Sequence, residues 1–335
     1  MKHTQHVSKQ QRIRVVVCIA ALLAFLAAAL LLLHRLELKD DLRRTQTDDS
    51  YDDGSGLVRY QGKWYRQNSA LQTVLLIGVD TFADQESSSS QQADFLTLLL
   101  IDPANQTYTA LHLNRDTMAN VPQLDIFGEV YGTKNEQLAL AYAHADEDNV
   151  RCRNTVQAVS DLLYGVKIDH YIAVTMDAVS IFNDMVGGVT VHVEDDFSAV
   201  DASIPQGEDV TLFGEHALHF VRARSGMDEP TNLARMERQR VYLKALRQQA
   251  ISCMQADDTF AMQALLDLAA YMNSDCNINQ LANLLNTAIT YDSPEIQTVS
   301  GESVVGEQFM EFYVDEDALQ KQVIDLFFVE ATDRN

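Results

Sequence analysis

The sequence predicts an α/β protein: a three-layer α/β/α domain around a central mixed sheet, preceded by one N-terminal transmembrane helix. Three observations carry that expectation. Short runs that are almost wholly apolar, TVLLIGVD, FLTLLLID and TYTALHL, read as strands buried on both faces. Segments with helical apolar periodicity are interspersed among them, as a sheet covered on both sides requires. Ahead of these, Val15 to Leu33 is an unbroken apolar run of 19 residues, the length of one bilayer-spanning helix.

Residues 1–14 are polar and carry Lys2, Lys9, Arg12 and Arg14, which favours a cytoplasmic N-terminus and places everything after residue 34 outside. Arg35, Lys39, Arg43 and Arg44 on the far side weaken that orientation signal, and the small residues of FLAAAL keep a cleaved signal peptide as the alternative. The expected organisation is a cytoplasmic tail (1–14), a transmembrane helix (15–34), a polar linker (35–69) and one elaborated domain (70–332, core 70–250).

Within the domain, TVLLIGVD ends in Gly78 and Asp80, and the SSSSQQ tract after it reads as a loop. FLTLLLID follows Asp94, and TYTALHL runs into Asn114, Arg115 and Asp116. Cys152 to Tyr164 is helical, with Val156, Val159, Leu162 and Leu163 on one side. HYIAVTM is a strand, DAVSIFNDMV a helix, and GGVTVHV a strand after a Gly187-Gly188 turn. HALHFVRAR reads as an apolar run entering a short strand, on which Arg222 and Arg224 share a face. A helix opens near Thr231 or Asn232, both suitable caps, and runs on through Ala250. FAMQALLDLAAYM and INQLANLLNTA are helical, IQTVSG strand-like, and Glu316 to Glu330 a last helix.

Charge singles out one window. The chain has 25 Lys+Arg against 48 Asp+Glu, a formal net charge of -23. Yet Arg222, Arg224, Arg235, Arg238, Arg240, Lys244 and Arg247 cluster together. Arg235, Arg238 and Gln239 stand three and four apart on one helix side. Guanidinium groups match phosphate oxygens in a bidentate way, so the window reads either as a pyrophosphate clamp or as a solvated helix face paired with Glu237 and Asp228. Asp80 and Asp94, at the ends of two neighbouring strands, are either ordinary turn residues or a pair able to share one hard cation such as Mg²⁺. Arg115 lies just beyond a buried strand, where α/β proteins place ligands, or it is a turn arginine paired with Asp116.

Taken together, VLLIGVD, ADFLTLLLID, LNRDT, LFGEHALHFVRAR and RMERQR resemble the LytR-CpsA-Psr family of cell-wall glycopolymer transferases, strongly over residues 70–250 and in layout elsewhere. The resemblance implies a membrane-anchored phosphotransferase that moves a polyprenyl-diphosphate-linked glycan, of teichoic-acid or capsular type, onto a peptidoglycan hydroxyl. It implies Mg²⁺ on Asp80 and Asp94, and a diphosphate held by Arg115, Arg222, Arg224, Arg235 and Gln239. Asp94, Arg115, Arg222 and Arg224 would be catalytic, with Asp94 helping to deprotonate the acceptor. An apolar slot for the lipid would lie between the sheet and its helices. The chain departs from the family pattern in GVDTFADQ, where an arginine often follows the aspartate, at Asn232, where an acid is common, and around Gln137-Leu138-Ala139. A non-catalytic lipid-glycan-binding regulator and a hydrolase of the same lipid are the rival functions.

Other classes are disfavoured. About 14 residues precede the span, too few for a DNA-binding domain, and the remainder is acidic, so a transcription regulator is disfavoured and no nucleic-acid partner is expected. There is no Walker-type glycine loop, no CxxC and no HExxH. Of four cysteines, Cys18 lies in the span; Cys253 and Cys276 flank a helical segment and could pair, leaving Cys152 over. Among nine histidines, His112, His170 and His219 adjoin or lie in apolar runs and read as structural residues rather than ligands.

Overall fold

The three apolar runs near residue 75 to 113 form the centre of a mixed sheet. In the computed structural model, residues 57–81, 91–224, 227, 231–292 and 296–331 are described. The first two strands are β1 (Leu57–Tyr60) and β2 (Lys63–Gln67), an antiparallel hairpin where a linker was expected. It belongs to a small unit of its own (residues 57–66 and 330–331 of the described chain), in which Lys63 pairs with Glu330 at 2.8 Å. The larger unit runs from Gln67 to Val329. The predicted transmembrane run, and Cys18 within it, lie outside the described residues. Among the described residues, no helix is long and apolar enough to cross a membrane.

Next come β3 (Gln72–Val79), β4 (Ala93–Asp102), β5 (Thr107–Leu113), and a hairpin of β6 (Met118–Leu124) and β7 (Val130–Gln137). A 3-10 helix (Leu138–His144) leads to α1 (Asp148–Leu162), β8 (His170–Val174), α2 (Met176–Met185) and β9 (Val189–His192). Then follow β10 (Asp209–Leu212), α3 (Glu215–Arg222), α4 (Asn232–Ala256), α5 (Phe260–Leu268) and β11 (Met272–Ser274). The unit ends with α6 (Ile278–Thr290), β12 (Gln297–Thr298), a hairpin of β13 (Gly301–Val305) and β14 (Met310–Val314), and α7 (Glu316–Phe327).

The central sheet has the order β11-β8-β3-β4-β5-β12. β3 pairs with β8 in parallel and with β4 antiparallel, so the sheet is mixed, as predicted. Alternation divides its faces. Leu75, Ile77, Leu96, Leu98, Tyr171 and Ala173 pack with α1, the 3-10 helix and α7 in one core cluster. Leu76, Gly78, Phe95, Ile172 and Val174 face the other way, beneath α2 and α4. A second core gathers Val189, Val191, Phe197, Leu212, Phe220 and Tyr242 around β9, β10 and the helices α2, α3 and α4.

Two expectations are corrected. HALHFVRAR does not enter a strand: it is α3, opened by Gly214 in the left-handed region (φ 50°). Its buried residues, Ala217, Leu218, Phe220 and Val221, recur at helical spacing, and that pattern wins over the short β-like HFV. Cys152, Cys253 and Cys276 are free thiols, so Cys253 and Cys276 do not pair.

Candidate active site

The site grows from one irregularity. Val79 pairs with Ala93 and Gly78 with Phe95, so Asp94 is the extra residue of a β-bulge between them. A bulge re-aims side chains at a sheet end, and here Asp94 and Phe95 both line the cleft on the helical face. Asp80 sits one residue beyond Val79 on the neighbouring strand, its N–H donating to the Gln92 carbonyl at 3.1 Å. The two carboxylates therefore belong to the same end of β3 and β4.

Arginines meet them there. Arg115, just past β5, donates from Nη1 to Asp94 Oδ1, from Nη2 to Gln92 Oε1 at 2.5 Å and from Nε to Asp116 Oδ1 at 3.2 Å. Arg235, in the first turn of α4, donates from Nη1 to Asp94 Oδ2 and from Nη2 to the Asp94 carbonyl, both at 3.2 Å. Arg222, the last residue of α3, donates to Asp80 Oδ1. Arg224, half-buried, has no hydrogen bond or ion pair among the described residues, yet its charge bears on both Arg115 and Arg235. Burial first, then Arg224 and Arg115, pulls the Arg235 guanidinium down to about 9. Burial likewise lowers Arg115, with Arg224 adding to the effect and Asp116 and Asp80 opposing it. Four guanidiniums thus face three carboxylates, Asp80, Asp94 and Asp116; Arg115, Arg235, Asp94 and Asp116 are buried, whereas Asp80 and Arg222 are partly open to solvent. The surplus is positive, which is what an anion requires.

The cleft beside this cluster is apolar. Its volume is about 320 Å³, and its walls include Phe95, Ile172, Val179, Phe182, Leu243 and Leu246. Its charged and amide-bearing lining residues are Asp94, Arg222, Arg235 and Gln239. One sheet face and the helices α2 and α4 enclose it, the position expected for a lipid slot.

Not every predicted residue does what the sequence suggested. Gln239 lines the cleft, and its Nε2 donates one hydrogen bond to the Val221 carbonyl at 3.1 Å, which ties its amide to α3. Arg238, on the same helix side, points elsewhere. It donates to the Phe220 and Ala223 carbonyls and to Asp195 Oδ2 at 2.8 Å, and lies over the Phe197 ring. It caps the C-terminal end of α3, a favourable place for a cation, and thereby positions Arg222. Asp116 orients Arg115, as expected, and is itself held by Gln137 Nε2 at 3.0 Å.

Asp80 and Asp94 fit a hard divalent cation by donor type, since both offer only carboxylate oxygens at adjoining strand ends. Both already accept from guanidiniums, so a cation there would share them with Arg115, Arg222 and Arg235.

Comparison with known proteins settles the lineage. The sequence profile of the LytR_cpsA_psr family matches residues 37–326. The chain belongs to this family. Its relatives include the polyisoprenyl-teichoic acid–peptidoglycan teichoic acid transferase TagU of Oceanobacillus iheyensis, 30% identical over 66% of this chain and 63% of that protein. TagV of Bacillus subtilis, of the same description, is 30% identical over 52% of this chain and 42% of its own length. The cell wall biosynthesis protein LcpA of Corynebacterium glutamicum is 26% identical over 70% and 52%. The chain thus spans between 42% and 63% of the length of these curated relatives. Among solved structures, TagT bound to LIIa-WTA aligns with TM-score 0.59 at 21% identity, covering 77% of this chain and 90% of that one. Protein gbs0355 of Streptococcus agalactiae aligns with TM-score 0.63 at 20% identity, covering 77% and 88%. These likenesses establish the shared fold.

The departures of this LytR_cpsA_psr member from the resemblance acquire physical roles. Asn232 replaces an acid, yet its Oδ1 still accepts from Arg235 Nη2, and its Nδ2 donates to Asn114 Oδ1 at 2.6 Å. Of the two candidate caps, Thr231 is the one that accepts from the Ala234 N–H, at 3.2 Å. Sequence reasoning did not single out Gln92, and it gave Asn114, Gln137 and Arg238, though they stand in the stretches it quoted, no supporting role; only the partners they hold reveal it.

Proposed function

We propose that this protein is a membrane-anchored phosphotransferase that moves a polyprenyl-diphosphate-linked glycopolymer onto a peptidoglycan hydroxyl. One observation carries the reading: an apolar cleft of about 320 Å³ opens at a mouth of paired and surplus arginines. A lipid tail fits the first and a diphosphate the second, and few ligands other than a lipid diphosphate need both at once. The names of the relatives above support the substrate class.

In this mechanism Arg115, Arg222, Arg224 and Arg235 bind and orient the diphosphate oxygens, while the cleft excludes water from the lipid side. The acceptor hydroxyl oxygen forms a bond to the sugar-proximal phosphorus. The bond from that phosphorus to the bridging oxygen breaks, and polyprenyl phosphate leaves with the electron pair. Mg²⁺, when held by Asp80 and Asp94, supplies further positive charge against the phosphate oxygens. As phosphate oxygens draw Arg115 and Arg235 from Asp94, an Asp94 oxygen becomes free to take the hydroxyl proton. Catalysis then rests on positioning and charge stabilisation, and the diphosphate bond supplies the driving force. The span at Val15 to Leu33 would hold the enzyme in the cell membrane with its N-terminus in the cytoplasm and this domain outside.

The test uses the full chain in detergent with Mg²⁺, a lipid-diphosphate oligosaccharide and peptidoglycan fragments. The expected product is glycan joined to the fragment by a phosphodiester, together with lipid phosphate. Free phosphorylated glycan would instead identify a hydrolase, and tight binding with neither product a regulatory lipid-glycan-binding module.

A further inference from the structure

Away from the arginine cluster, the loop between β9 and β10 meets the exposed side of α3. Asp201 Oδ2 accepts from Nδ1 of His216 at 2.6 Å and from Nδ1 of His219 at 2.7 Å. The two histidines are three apart on α3 and so project from one side. Their ligand atoms and that of Asp201 all lie within 4.8 Å of one another. None of the three residues lines the apolar cleft.

We infer that Asp201, His216 and His219 form a binding site for a borderline divalent transition-metal ion, for which Zn²⁺ is the natural probe. The donor set decides the class: two imidazole nitrogens and one carboxylate oxygen suit Zn²⁺ rather than Mg²⁺ or Ca²⁺. In the metal-free arrangement two N–H protons converge on one carboxylate oxygen, standing where a cation would stand. Zinc bonds of about 2.0–2.2 Å place tetrahedral ligand atoms about 3.3 Å apart. Each nitrogen therefore needs to withdraw from Asp201 by only about 0.6 Å. His216 and His219, 50% and 40% exposed, are free to make that rotation. Metal binding requires Nδ1 of each imidazole without its proton, with Nε2 carrying the remaining one.

The carboxylate is already set in place, as outer-shell groups do for metal ligands. Asp201 is 8% exposed, and its Oδ1 accepts from the Ser203 hydroxyl at 2.6 Å and from the Ser203 N–H at 3.1 Å. Its backbone N–H donates to the Phe197 carbonyl at 2.7 Å, and its carbonyl accepts from Ile204 at 3.0 Å. Phe197 and Ile204 are buried, and Phe197 stacks on Phe220 of α3 at 5.4 Å. The loop and the helix are thus fixed against each other before any ion arrives. Water, or the Ser203 hydroxyl 3.0 Å from His216 Nδ1, would complete the coordination. Bound metal would staple the loop to α3 one turn before Arg222. The inference is independent of the proposed transferase activity.

The test is metal binding to the chelator-stripped full chain in detergent, by Co²⁺ absorption and Zn²⁺ calorimetry, with thermal unfolding alongside. The parent should bind one equivalent with tetrahedral-type Co²⁺ bands and unfold at a higher temperature with Zn²⁺. His219→Ala should lose that equivalent and its thermal shift, and Ser203→Ala should weaken it by about 10–100-fold. His170→Ala, in the separate grouping of His170, Asp275 and Cys276, should leave it unchanged. Should His219→Ala fail to fold, His216→Ala at the more exposed position decides. No saturable uptake by the parent, an equivalent retained in the histidine variants of α3, or one lost with His170→Ala would overturn the assignment.

Discussion

Asp94→Asn isolates the centre of the arginine cluster, because it keeps the side chain's size and one oxygen while removing its charge. In the parent, Asp94 (9% exposed) takes Arg115 (8%) on one oxygen and Arg235 (2%) on the other. Removing one partner from a buried ion pair costs about 3–5 kcal/mol, mainly because a charge is left without compensation. Here the asparagine oxygen still serves one guanidinium while its amide opposes the other, and Asp116 and Asp80 remain near Arg115. The lower end, about 3 kcal/mol, is therefore expected. At roughly 1.5–2 °C per kcal/mol for a protein larger than about 250 residues, that is a fall of about 5–6 °C in Tm. Scanning calorimetry of the full chain reads the change directly. Inorganic pyrophosphate supplies the second half of the assay. An anion entering the cluster replaces the missing carboxylate, so it should raise the variant's Tm more than the parent's; occupancy at about 100 times Kd is worth about 2.7 kcal/mol. A variant within about 2 °C of the parent, or one that pyrophosphate stabilises no more than the parent, would refute the picture of two buried guanidiniums balanced by one carboxylate and awaiting an anion.

Arg224→Ala removes a cation with no hydrogen bond or ion pair among the described residues, so stability should stay within about 0.5 kcal/mol while kcat for glycan transfer falls by about 10²–10³-fold. Arg115→Ala should lose activity and, unlike Arg224→Ala, also stability, because it strips a buried partner from Asp94; equal denaturation midpoints for the two variants would contradict this. His112 is buried and unprotonated, its pKa held at about 3 by burial and then by Arg235, whereas an unfolded histidine titrates near 6.5. The unfolded chain takes its proton first, so stability should drop by about 1.4 kcal/mol per pH unit as pH falls from 6.5 toward 4.5. His112→Gln should flatten urea midpoints measured across that window. Val179→Trp narrows the cleft and should raise KM for a long-chain lipid diphosphate by about tenfold, roughly 1.4 kcal/mol, while leaving a short-chain analogue unaffected.

Much of this arrangement is legible in the residues, and the failures have definite physical causes. β3, β4 and β5 fall on the apolar runs because burial on both sheet faces leaves no position for a polar residue. Thr231 marks the start of α4 because a capping hydroxyl has one local job. The convergence of Asp94, Arg115, Arg222, Arg224 and Arg235 came through family motifs, since nothing in the spacing of residues 94, 115 and 235 brings them together. α3 was misread because a short apolar run satisfies both periods, and Gly214 was the one local sign that a helix begins. The β6–β7 and β13–β14 hairpins went unpredicted because one strand of each, β7 and β13, is largely exposed and gives no apolar alternation. Arg238 belongs to the right helix, but its side chain is committed to α3 carbonyls and Asp195, and a count of arginines cannot distinguish a cap from a clamp.

The pairing of Asp94 with two guanidiniums also bears on selectivity. A diphosphate must displace a carboxylate already seated in the cluster, and the surplus charge favouring it is only that of Arg224. A headgroup alone therefore gains little over the resting state. The cleft changes the balance. Each buried methylene contributes about 0.8 kcal/mol, so five or six carbons of tail offset the roughly 3–5 kcal/mol at stake when the Asp94 contacts are exchanged. A cleft of about 320 Å³ has room for that many. In the proposed reaction the lipid would thus loosen the arginines from Asp94 at the same moment that it delivers the diphosphate to them. Free phosphate and nucleotides, which carry the charge but no tail, leave Asp94 in place. On the proposed function, a self-occupied cation cluster opened only by an amphipathic ligand would discriminate against soluble anions in a chain that is otherwise strongly acidic.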